Sequence, residues 1–144
     1  MKNLVKTFTL LTLLLGLTIT TSCKKYKKYD NKEVVENSYT GTIELKGDDD
    51  EPSGDFSGSN DSGEFSFVWE NNKEVASIEY SASFSSGSVN LIINDAKGKE
   101  VFNTTINDNN TSSEGKTSKG EEGKWLVTFV FTDFDGSGSY KIEN

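Results

Sequence analysis

The 144 residues predict an all-β protein, an antiparallel β-sandwich of the jelly-roll or Ig-like kind, preceded by a cleaved N-terminal signal peptide. Three observations predict it. Apolar side chains recur at every second position in several separate stretches, the period of a half-buried strand. Clusters of Gly, Ser, Asn and Asp interrupt those stretches at short intervals, and no helical period of useful length follows residue 38. Before that residue a single apolar run stands between two lysines and a cysteine.

That run comes first in the chain. Lys2 and Lys6 give a positive start, residues 10–19 are apolar, and Thr20, Thr21 and Ser22 supply small residues before Cys23. Basic, then apolar, then small is the order of a secretory signal, and the run is too short for a membrane-spanning helix. The chain therefore divides into residues 1–22 as signal, 23–37 as a lysine- and tyrosine-rich tether, and 38–144 as one β-sandwich domain.

These residues resemble a bacterial lipoprotein signal peptide ending in a lipobox. The resemblance implies that Cys23 is the lipid-attachment residue, carrying a diacylglycerol thioether and an acylated amino group. Ser22 and Thr21 suit the two positions before the cysteine, whereas Thr20 replaces the usual leucine-like residue, with Ile19 one step early. Two or more acyl chains hold a protein stably where one does so only marginally. The implied location is the bacterial cell envelope, the outer membrane if the cell is Gram-negative, with the membrane as partner through Cys23. Lys24, Lys25, Lys27 and Lys28 would lie close to anionic headgroups, each worth about 1 kcal/mol of attraction there.

Composition narrows the chemistry. Removing residues 1–22 takes the net charge from −8 to −10, and all 15 basic residues are lysine. An acidic chain without arginine is a poor match for nucleic acid. There is no histidine and only one cysteine. That excludes Ser-His-Asp and Cys-His nucleophiles, histidine-ligated metals, thiolate clusters and any intramolecular disulfide. No cofactor is expected.

Along the domain, residues 40–46 alternate, with Ile43 and Leu45 on one face. Residues 47–63 hold Asp48-Asp49-Asp50-Glu51, Pro52 and a Ser/Gly/Asn/Asp tract, and predict a mobile loop. Phe65, Phe67 and Trp69 share a face, as do Ile78, Tyr80, Ala82 and Phe84; Ser85-Ser86-Gly87 predicts a break. Residues 89–93 and 101–106 flank Asp95-Ala96-Lys97-Gly98, a hairpin whose glycine takes the left-handed position. Residues 107–124 are polar, with an edge strand expected near 112–118. In residues 125–132, Trp125, Val127, Phe129 and Phe131 face one way while Leu126 and Val130 cover the other. A strand apolar on both faces is central in its sheet. Asp133-Phe134-Asp135-Gly136-Ser137-Gly138 predicts a turn, with residues 139–142 returning from it.

The segments Gly87-Ser88-Val89-Asn90-Leu91, Asp95 to Phe102, Gly123-Lys124-Trp125 and Gly136 to Ile142 resemble secreted bacterial jelly-roll modules, of which the pre-peptidase C-terminal and GOLD-like sandwiches are the nearest types. The resemblance implies a non-catalytic accessory or binding module and carries over no site residues.

Three constellations compete with plain structural roles. Asp133 and Asp135, with a distant acid among residues 48–51, could form a loose calcium site in an adhesion or assembly module. An EF-hand is excluded, because position twelve from Asp133 is Asn144 and the flanks are strands. Trp69, Trp125, Phe131 and Tyr80 could stack sugars, but alternation with polar neighbours assigns them to the core; Phe56 and Tyr26 lie outside that alternation and are better probes of a binding surface. Glu70 with Glu79 would be the pair of a carboxylate-based glycan-active enzyme. The expectation is no enzyme, no metal site, and an envelope protein or a glycan as partner.

Overall fold

The computed structural model describes residues 32–48 and 50–144. Seven strands follow in order: β1 (Glu33–Asn37), β2 (Thr42–Ile43), β3 (Ser53–Asn71), β4 (Ser77–Asn94), β5 (Glu100–Ile106), β6 (Ser112–Lys116) and β7 (Gly123–Glu143). They form one antiparallel sheet ordered β1-β3-β7-β4-β5, with β2 also on β3 and β6 also on β4.

The sheet is folded over on itself. β3, β4 and β7 run for 19, 18 and 21 residues, against a usual strand of ~5–6. Each breaks register midway: β3 between Gly58 and Gly63, β4 between Phe84 and Ser88, and β7 opposite them between Thr132 and Gly136. The breaks align across the three strands, so the whole sheet bends there. One sheet then contains residues 53–58 of β3, 136–143 of β7 and 77–84 of β4, edged by β2 and β6. The other contains residues 63–71 of β3, 123–132 of β7 and 88–94 of β4, edged by β1 and β5. The orders β3-β7-β4-β6 and β3-β7-β4-β5 are the two interlocked Greek keys of a jelly roll. Of the two expected sandwiches, the jelly roll is the one formed.

The core lies between the layers. Phe65, Phe67, Trp69, Leu91, Ile93, Trp125, Val127 and Phe129 of the second sheet are buried, as are Phe56, Ile78, Tyr80, Tyr140 and Ile142 of the first. Rings meet across the gap: Tyr140 lies 4.7 Å from Phe129 and Phe56 5.8 Å from Phe131, centroid to centroid. Tyr39 ties the layers near the bend. Its backbone N–H donates to the Glu64 carbonyl, its ring stacks at 3.7 Å on Phe131, and its hydroxyl donates to the Ser57 carbonyl at 2.9 Å. Burial, with the Asp61 charge nearby, pushes that phenol up to about 12.

Several expectations hold. β7 is central, between β3 and β4. The β4–β5 hairpin turns at residues 95–98 with Gly98 at φ 81°, and β6 is the edge strand expected near residue 112.

Four do not. Residues 53–63, read as loop, belong to β3, because their backbone is paired to β2 and β7 on its two sides while Phe56 alone supplies the core contact. Residues 33–37, read as the end of the tether, form β1 on β3, and Lys32 is buried, donating from Nζ to the carbonyls of Gly47 and Asp48 at 2.9 and 2.5 Å. Ser85-Ser86-Gly87 is a bulge inside β4, and residues 133–138 bend β7 without reversing it. The strand expected at residues 40–46 shrinks to the two residues of β2 plus a bridge from Lys46 to Ser53.

Candidate functional site

Alternation gives the first sheet an outer face that is the complement of its core face. Phe56, Gly138, Tyr140, Ile78, Tyr80 and Ala82 point inward or pack close to the core. The residues between them point out, and their registers align into rows crossing the strands. Thr42 of β2, Ser57 of β3, Ser137 of β7 and Ser83 of β4 make one row, nearest the bend. Asp55, Ser139, Ser81 and Ser112 make the second. Ser53, Lys141, Glu79 and Glu114 make the third, and Glu143, Ser77 and Lys116 the last. Chemistry thus changes along the strands, from hydroxyls at the bend to charges at the far end.

Because these side chains are short, Ser57, Ser137 and Ser83 of the first row and Asp55, Ser139 and Ser81 of the second floor an open trough of about 660 Å³, with Thr42 and Glu44 at one edge. A second depression of about 400 Å³ lies over the charged rows. The trough's hydroxyls are uncommitted: among the described residues, Thr42, Ser57, Ser81, Ser83, Ser137 and Ser139 make no side-chain hydrogen bond within the protein. Each can donate one hydrogen bond and accept two. The lysines nearest the trough are already partnered. Lys46 pairs with Glu44 and, at 3.5 Å, with Asp55, and the hydrogen bond to Glu44 above all raises its pKa. Lys141 pairs with Glu143 and with Glu51.

The aromatic side chains singled out in the sequence are not at this surface. Trp69, Trp125, Phe131 and Tyr80 are buried, as the alternation required. Phe56, taken as a probe of a binding surface, is a core residue at 2 % exposure, its ring set against Phe129, Phe131 and Phe134. No aromatic among the described residues is exposed; Val35, at 54 %, is the exposed large apolar side chain. Cys23 and Tyr26 lie outside the described residues.

The acidic constellations do not converge. Glu70 points outward from the second sheet, opposite Lys124, and Glu79 outward from the first, opposite Lys141. The pair proposed for catalysis therefore sits on opposite faces, with the core between. Asp133 has its Oδ1 on the Ser62 hydroxyl at 3.2 Å, a clip between β7 and β3 at the bend. The acidic turn lies at the other end of β7, where Glu51 reaches Lys141. Eight strand positions separate Asp133 from Lys141, about 25 Å at ~3.3 Å per residue. No group of three acidic side chains able to hold a metal occurs among the described residues.

The acid most committed to structure is Asp95. Its Oδ2 accepts from the Glu121 N–H and its Oδ1 from those of Lys97 and Lys99, all at 2.9 Å, which ties the β4–β5 hairpin to the segment before β7. The Glu121 N–H, with those of Lys99 and Lys97 and the Lys99 charge, outweighs burial and holds the carboxyl below its ordinary 3.8. Because the folded value is the lower one, the stabilisation is complete above pH 3.8 and is lost as pH falls through the folded value. Acid titration of the unfolding midpoint should therefore show a drop below pH 4 that is shallower in Asp95→Asn, which should also be the less stable protein at pH 7. Parallel acid curves for the two proteins would show that Asp95 does not contribute.

No protein-family model matches the chain, so neither jelly-roll family named above is matched by one, and no curated protein matches it either. Solved structures similar to it include an arabinose-bound α-L-arabinofuranosidase, at 13 % identity and TM-score 0.43 over 79 % of this chain. The chain spans 23 % of that enzyme. A family 61 carbohydrate-binding module in complex with β-1,4-galactotriose is 13 % identical with TM-score 0.42, over 81 % of this chain and 88 % of the module. The family 11 carbohydrate-binding module of a Clostridium thermocellum cellulosomal cellulase is 9 % identical with TM-score 0.37, over 83 % and 88 %. Likenesses at this level carry no argument about what this chain binds. The chain is an all-β, antiparallel jelly-roll sandwich on the strength of its own strand order.

Proposed function

We propose that this protein is a membrane-tethered, non-catalytic binding module of the bacterial cell envelope, anchored by lipid on Cys23, and that its ligand is a glycan held in the hydroxyl-floored trough. The observation that carries the binding half is the set of six uncommitted hydroxyls on adjacent strands, an array able to meet the alternating donors and acceptors of a sugar surface. The tether half rests on the lipobox-like order of residues 10–23. Lys32, where the described chain begins, is fastened to the turn at residues 47–48. A tether leading there would place the bend, and the hydroxyl row beside it, on the side away from the membrane.

Fractionation of cells fed labelled fatty acid tests the anchor. The native chain should carry label and pellet with membranes, and Cys23→Ala should lose both. A Cys23→Ala protein that still pellets, beside a native chain without label, would refute the lipid. Retardation of the full chain in gels containing polysaccharide tests the ligand class; migration unaltered by every polysaccharide of a broad panel would refute it.

A further inference from the structure

Resting on that trough as the binding site, we infer that its ligand is an uncharged linear polysaccharide, and that it lies across the strands rather than along them. The direction follows from the order of side chains. Along every strand the hydroxyls run into charge within two steps or fewer: Thr42 to Glu44, Ser57 to Asp55, Ser139 to Lys141, Ser81 to Glu79. Across the strands, the row Thr42, Ser57, Ser137 and Ser83 contains no charge. A polymer of like units meets like groups only in that direction.

The spacing fits as well. Strands stand ~4.8 Å apart, so four of them carry the row over about 14 Å, and a sugar ring in an extended chain advances by roughly one strand spacing. Successive rings would each meet one hydroxyl, and the chain could leave the trough at either edge strand.

The absence of ligand charge follows from the borders. The second row begins at Asp55, Glu44 lies at one edge, and Glu79 opens the charged rows. The lysines nearest the trough, Lys46 and Lys141, are held by acids of the protein itself. Carboxylated or sulfated chains would meet net repulsion on a protein already strongly acidic.

The test uses the full chain in detergent micelles, with titration calorimetry against neutral and uronate-containing linear polysaccharides. Ser137→Leu fills the centre of the trough. Ser57→Ala with Ser83→Ala removes two hydroxyls of the row without filling the trough, and Ser137→Ala with Ser139→Ala likewise removes two along β7, only one of them in the row. All face solvent. The expected result is binding of neutral chains only, abolished by Ser137→Leu, weakened at least tenfold by the row pair and distinctly less by the β7 pair. Ser137→Leu binding like the native chain would overturn the trough itself as the site. Loss with Ser137→Leu, but a β7 pair more damaging than the row pair, would keep the site and overturn the direction. Equal binding of uronate chains would overturn the charge class, and a face that captures a protein while ignoring every polysaccharide would overturn both readings.

Discussion

Phe129→Ala should lower the stability of the fold by about 3–5 kcal/mol, the range for deleting a large buried aromatic. Phe129 is fully buried on the second-sheet part of β7, the strand shared by both sheets. Its ring reaches across the sandwich to Tyr140 at 4.7 Å and Phe56 at 6.3 Å, and along its own strand to Phe131 at 6.3 Å. Truncation would open a cavity between layers whose spacing the long strands hold fixed, so collapse can refill little of it. Since whole domains are stable by only about 5–15 kcal/mol, thermal unfolding should shift down by on the order of 15 °C. A loss below about 1 kcal/mol, read from chemical denaturation with an unchanged slope, would mean that the two layers are not packed through this ring. Thr128→Ala, one position away on the outer face, is the control and should change little.

How much of this was legible in the sequence depended on side-chain chemistry at each place. β7 declared itself through apolar residues on both faces, and the run from Phe65 to Trp69 through a clean period of two. The start of β3 did not, because Ser53 to Gly63 offers one aromatic among small polar residues. What holds it is backbone pairing to two neighbours, which leaves no trace in composition. The run from Asp133 to Gly138 misled for a different reason. Residues that tolerate positive φ serve a hairpin and a bend equally well, and here Asp133 at φ 44° helps to bend β7 between sheets. The trough combines both cases. Paired serines two apart, Ser81 with Ser83 and Ser137 with Ser139, are a visible signal for an outward face of small polar residues. That they fall into one row with Ser57 depends on register between strands distant in sequence, which no single stretch encodes.

Gly87→Ala should cost on the order of 3 kcal/mol, and comparison with Gly98→Ala separates the reasons. Both glycines sit in the left-handed region, at φ 78° and 81°, where a side chain costs roughly 1–2 kcal/mol. They differ in surroundings. A Cβ at Gly98 would meet nothing within 4 Å, since the hairpin tip is open to solvent. A Cβ at Gly87 would collide with the backbone carbonyl of Asp133, which cannot swing aside as a flexible side chain could. Gly87 is where β4 crosses the bend against β7, so relieving the collision means separating the two strands at the point where both change sheets. Overpacking of that kind adds about 1–3 kcal/mol. Gly98→Ala should therefore fall near the conformational penalty alone, and Gly87→Ala clearly beyond it. Equal losses at the two positions would mean that the bend can open without resistance. The long strands would then be pliant where they cross between sheets, and the row of hydroxyls beside the bend would not be held in the register on which its spacing depends.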